Sequence, residues 1–122
     1  MTEQATIAAL GRRDKAWRQC IERVFGAYSD VFTLLAPTVT HNTDAESIPN
    51  MIVDGHLPGD PRVKTTITIP FVEFMGNDRL GGDRANWDEL ADRHAQAFLK
   101  KLKKSRGDQA KLDQARANEH LP

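Results

Sequence analysis

"TTITIPFVEFMGND", residues 65–78, is the stretch on which the fold turns. Val63, Thr65, Ile67, Ile69 and Phe71 fall on one face of an extended segment, and Lys64, Thr66, Thr68, Pro70 and Val72 on the other. Alternation carried by β-branched residues predicts a half-buried strand, with Val63, Ile67 and Ile69 packed under the rest of the chain. Pro70 has no N–H to give to a ladder, so its position must be an edge, a bulge or a strand end. On that ground "IPFVEF" reads as two short strands meeting at a kink, with residues 70–76 turned toward a partner. Unguarded edges invite pairing with other chains, and here Pro70 and Glu73 would restrict it.

Working outward, "PGDP" at 58–61 reads as a turn and "MIVDGHL" at 51–57 as a second short strand. Residues 38–50 are polar and turn-rich and read as a loop, with room for a short extended piece at its start. Residues 3–35 read as a long helix. Leu10, Trp17, Val24 and Val31 repeat every seven residues, and Ile21, Tyr28 and Leu35 form a second row offset by four. Gly11 and Gly26 each cost about 1 kcal/mol in a helix interior, which leaves a break open at either, with "GAYSD" the weaker link, and Pro37 supplies the final stop. Downstream, Asn86 reads as an N-cap with Glu89 completing a capping box. The helix that follows would bury Trp87, Leu90, Ala91, His94, Ala97 and Phe98, close with "KKLKKSR" and stop at Gly107. The expected fold is α+β: a long N-terminal amphipathic helix and a second helix packed on a small antiparallel sheet. The single domain spans residues 1–106, and residues 107–122 form a polar C-terminal tail or arm, read as a solvated helix, a disordered tail or an arm laid on a neighbour.

The chain has 122 residues, which fits one domain with a real core. Its 17 basic and 17 acidic residues cancel, so net charge gives no reason to expect nucleic acid or an anionic membrane as the main partner. The one cysteine, Cys20, cannot form an intramolecular disulfide, which suits a reducing compartment. No basic leader followed by an apolar stretch opens the chain, and apolar runs of about five residues fall far below the roughly 20 that span a bilayer. A cytoplasmic location and no membrane partner are expected.

The chemical motifs give little. His41, Asp44, Asp54 and His56 are residue types that ligate divalent metals, but polar loops collect the same types for turn chemistry. "VDGHLP" with Gly81, Gly82, Asn86 and His94 resembles the outline of an HNH nuclease, yet a well-patterned strand separates its parts. Cys20 lies near the apolar stripe with no base in sight. Lys100, Lys101, Lys103 and Lys104, with Arg106, form the one basic cluster and the only candidate phosphate contact, without interleaved aromatic residues. No catalytic residue, metal or cofactor is expected, nor any activity that depends on His41, Asp44, His56 or His94.

Leu35-Ala36-Pro37 at the end of a helix, then Val72-Glu73-Phe74 and Gly76 in a later strand, resemble the tail-completion or head–tail joining family of tailed phages, related to minor tail protein Z. Met75 is an insertion in that pattern, and "TVTHNTDAESIPN" replaces its Thr-Gly-x-Leu-Arg segment. The resemblance implies a structural subunit of a phage-like particle, located in the virion, whose partners are copies of itself and other assembly proteins. "RVFGAYSDVFTLLAPTVTHN" also resembles the opening of SnoaL-like cone-shaped proteins, which implies a ligand-binding protein or enzyme as the alternative. In the assembly reading the partner interface takes Val72, Glu73 and Phe74, together with Trp17, which stands far from the Phe-rich end of its helix.

Overall fold

A computed structural model describes residues 3–41, 48–76, 80 and 82–119. Helix α1 spans Glu3–Gly26, about 36 Å at 1.5 Å per residue. Its buried residues are Arg13, Trp17, Cys20, Ile21 and Phe25, of which Trp17 and Ile21 stand in the two rows of the sevenfold repeat. The repeat overruns the helix, however. The chain leaves α1 at Gly26 and turns, with Tyr28 N–H donating to Phe25 O (2.9 Å) and Phe32 N–H to Tyr28 O (3.1 Å). Val31 and Leu35, continuing the stripe, are 41% and 50% exposed. Gly26 lowers the cost of stopping, and Phe32, fully enclosed beyond the turn, rewards it.

Four strands follow: β1 Thr33–Leu34, β2 Thr38–Thr40, β3 Asn50–Leu57 and β4 Asp60–Pro70. β3 is central. It pairs antiparallel with β4 along one side and with both β1 and β2 along the other. Gly59, at φ +81°, closes the β3–β4 hairpin. The register runs from Asn50↔Pro70 to His56↔Lys64, then slips to Leu57↔Asp60, so Pro61, Arg62 and Val63 have no partner on β3, Val63 turning into the core while Pro61 and Arg62 stay exposed. Met51, Val53, Val63 and Ile69 are buried on one face, with Ile67 half-buried beside them. The opposite face carries Thr38, Lys64, Thr66 and Thr68, all exposed.

Pro70 sits at the free edge. Phe71 N–H donates to Pro49 O (3.0 Å), which makes that pair a hydrogen-bonded one. The antiparallel alternation then turns the backbone groups of Pro70, Thr68, Thr66 and Lys64 outward, away from β3. Lys101 Nζ donates to Thr66 O on that side (3.0 Å). A missing donor at Pro70 and an ammonium on Thr66 guard the edge.

The expected second strand after Pro70 is instead a one-turn helix, α2, at Val72–Met75. Phe71 and Phe74 stand three residues apart, the spacing that puts both rings on one side of a helical turn. Both are buried against Trp17, at centroid distances of 4.9 and 5.6 Å. A strand would have separated them by one residue of phase.

The polar C-terminal tail is also a correction. α3 runs Trp87–Glu119, through Gly107, for about 50 Å. Gly107 does not adopt positive φ and so does not end the helix. Residues 108–119 hold no proline, include three Ala and two Gln, and carry the pairs Gln109–Asp113 (3.0 Å) and Gln114–Asn118 (3.2 Å). Arg62 in the unpaired segment of β4 reaches Asp113 (3.4 Å). The fold is α+β, an open four-stranded sheet with α1 and α3 on one face and the other face uncovered.

Candidate functional site

The uncovered sheet face has a regular layout. The pairings set Thr33, His56 and Lys64 in one row, Leu35, Asp54 and Thr66 in the next, and Thr38, Ile52 and Thr68 beyond. At the end of the face where the β3–β4 register slips, His56, Lys64, Leu35, Asp54, Thr66 and Pro61 line a groove of about 500 Å³. The Thr66 hydroxyl donates to the Asp54 carboxylate. His56 Nδ1–H donates to Leu57 O (2.9 Å), since a carbonyl can only accept, and this leaves Nε2 as the ring's open position. Lys64 has no hydrogen-bond or ion-pair partner among the described residues.

The residues singled out in the sequence do not converge. Trp17 and Phe74, expected at an interface, are 0% and 3% exposed and belong to the chain's own core. Phe71, Phe74 and Trp87 enclose the Trp17 region from distant parts of the chain, and Trp87 Nε1 donates to Phe74 O (2.9 Å). Val72 is 51% exposed. Glu73 is on the surface too, paired with His94 Nε2 at 2.6 Å, whose ring stacks on Phe74. Lys100, Lys103 and Lys104 are exposed, whereas Lys101 is held on the β4 edge. His41 pairs with Asp14 (2.7 Å), near the Asn50 end of β3, about 20 Å of strand from His56. Asp44 and Gly81 lie outside the described residues. Among the described residues no three His, Cys, Asp or Glu side chains gather as a metal would need.

A second depression, about 420 Å³, lies between α1 and the start of α3 around Cys20, Arg23, Arg84 and Asp88. Arg23 grips Asp88 through two hydrogen bonds (2.7 and 3.1 Å), and the Cys20 thiol points at the same carboxylate (3.4 Å). The Arg23 hydrogen bond, then that of Cys20, lowers the Asp88 carboxyl below its usual range. Burial first, then Asp88, pushes the Cys20 thiol up to about 11. Such a thiol stays protonated at neutral pH and is a poor nucleophile.

The groove partners Lys64, Thr66, Leu35 and Pro61 were not expected as ligand-binding residues, although Asp54 and His56 were considered as metal ligands. Counting across a turn at Gly59 would set Pro61 opposite His56 and Val63 opposite Asp54, and it is the three-residue slip beyond Leu57↔Asp60 that brings Lys64 and Thr66 there instead.

Compared with known proteins, the chain matches no family model, no curated sequence and no solved structure at a significant level. The residues that resemble the phage joining family sit differently from its pattern. Leu35-Ala36-Pro37 follow β1 rather than a helix, and Val72–Met75 form α2 rather than a strand. Among the described residues no helix is long and apolar enough to cross a membrane.

Proposed function

We propose that this chain is a structural assembly subunit, of the kind that joins copies of itself and other proteins in a phage-like particle, and that its contacts run through the far end of α3. The supporting observation is the reach of that helix. Leu102 is its last buried residue, and residues 103–119 carry it about 25 Å farther. A helix that is polar nearly all round gains little from its own domain, and bridging to a neighbour is one of the few settings that favours it. Leu112, 53% exposed on this arm, is its one large apolar side chain among the described residues. Val72 and Glu73 add a second surface near the start of α3, on the side where His94 sits. The guarded β4 edge leaves helix-mediated contact as the more accessible route than strand addition.

Native mass tests this directly. The full chain is expected to run as a multiple of 13.7 kDa, while Leu112→Glu and a chain ending at Arg106 run as monomers with the domain still folded by circular dichroism. Leu112→Glu changes a solvated position, so its effect on stability should stay within about 0.5 kcal/mol. A full chain that is monomeric at every concentration, or a Leu112→Glu variant that assembles as well as the parent, overturns the reading.

A further inference from the structure

From the groove on the uncovered sheet face, we infer a binding site for a small polyhydroxylated anion, a sugar bearing a carboxylate or a phosphate. It is built at the one place where the β3–β4 register breaks. Pro61, Arg62 and Val63 have no partner on β3 at the His56–Leu57 step, and breaks of this kind re-aim side chains beside binding sites. The hollow beside Pro61, about 500 Å³, is in the range that holds a small organic ligand.

Its polar groups are separated by function. Lys64 brings a positive charge with no partner among the described residues. His56 is held by its Nδ1–H bond to Leu57 O (2.9 Å), so Nε2 accepts a hydrogen bond in the neutral ring. Asp54, already taking the Thr66 hydroxyl, has a second oxygen to accept from a ligand hydroxyl. The Lys64 and Asp54 rows lie about 7 Å apart, two residues along a strand. An anion on Lys64 is thereby kept off the Asp54 carboxylate, while hydroxyls of the same molecule reach Asp54 and His56. Leu35 and Pro61 wall the hollow with apolar surface for the C–H face of a sugar ring. A purely apolar ligand would strand the lysine and the carboxylate, and a bare inorganic anion would leave both acceptors unused. Among the described residues the lining has no Phe, Tyr or Trp, so affinity rests on the charge and the hydroxyls, and dissociation constants in the millimolar range are expected.

The test is a heteronuclear NMR titration of the labelled full chain with glucose 6-phosphate, glucuronate and glucose. Saturable shifts of the amides at 54–57 and 64–66 are expected with at least one anion, roughly tenfold tighter than with glucose. Which anion binds tells phosphate from carboxylate. Lys64→Gln, at an exposed position, should erase the preference for the anion over glucose while the rest of the spectrum stays in place. Asp54→Asn should weaken both binding modes. Absence of saturable shifts with either anion, or an anion preference that survives Lys64→Gln, overturns the site. Neither result depends on whether the chain assembles, which native mass reads separately.

Discussion

Gly55 stands where β1, β3 and α3 meet, and no larger residue fits. A Cβ there would lie 2.7 Å from Phe98 Cζ and 2.7 Å from the Thr33 carbonyl oxygen. Phe98 cannot swing aside, because its ring packs edge-on against Phe25 and Phe32 at 6.0 and 4.9 Å and is fully buried. The Thr33 oxygen is backbone and moves only if β1 moves. Gly55→Ala is therefore expected to cost about 1–3 kcal/mol or more in urea unfolding, as overpacked cores do. An unchanged midpoint would mean that β1 is not held against β3 as described. Cys20 gives a pH test at the same scale. Its folded-state pKa is raised from 9.0 to about 11, so the folded chain keeps a proton that the unfolded chain releases. The stability this contributes is fully present below pH 9.0 and is lost as pH rises toward about 11. Over that interval Cys20→Ala should lose less stability than the parent, measured as the difference between their melting curves. Equal losses would show that the thiol is not enclosed as its contacts with Asp88 indicate.

At the scale of elements, α3 is the one whose extent depends on a single residue. Gly107 lies on an open side of the helix, with nothing within 4 Å of where a Cβ would be. If the helix continues through it, Gly107→Ala should raise stability or helical content, by about 1 kcal/mol at most. If glycine instead ended the helix in a left-handed cap, alanine there would destabilise. The sign of one calorimetric or circular-dichroism comparison thus separates a continuous arm from a capped helix with a tail. α2 carries a similar lesson without needing a variant. The apolar alternation through Phe71 was legible, and it placed Val63 and Ile69 in the core. Past Pro70 the same residues satisfy a strand phase and a helical turn, and only the position of Trp17 and Trp87 chooses the turn, because it lets Phe71 and Phe74 bury together.

Across the whole molecule, polar ties at the surface join the elements that the core brings together. Arg23–Asp88 links α1 to α3, Tyr28–Asp92 links the turn after α1 to α3, Arg62–Asp113 links β4 to the arm, and Glu73–His94 links α2 to α3. Asp60 and Asp88 are both held below the usual carboxylate range, in each case chiefly by an arginine hydrogen bond. Their contributions are present above the unfolded carboxylate pKa and are lost as pH falls through the lowered folded values. Thermal stability should therefore decline between about pH 5 and pH 2, and Asp88→Asn should flatten part of that decline. These groups are exposed, so each step is small. An acid limb identical in Asp88→Asn would show that the Arg23 clasp does not persist in solution.

What the sequence determined by itself was periodic and local: the alternating face of β4, the helical stripe from Trp17 to Phe25, the turn at Gly59 and the amphipathic start of α3. These follow from repeat lengths of two and 3.6 residues, which any half-buried strand or helix must show. The tertiary structure decided the ends and the meetings. Gly26 and Gly107 are equally poor helix formers, yet the first lies where α1 ends and the second where α3 continues. Phe32 draws the chain into the core beyond Gly26, while Arg62 holds Asp113 beyond Gly107. Trp17 was enclosed by rings more than fifty residues away, and the groove arose from Asp54, His56, Lys64 and Thr66 only once β3 and β4 were in register. A burial pattern along one segment specifies that a face must be covered, but what covers it depends on contacts between segments, which no local repeat encodes.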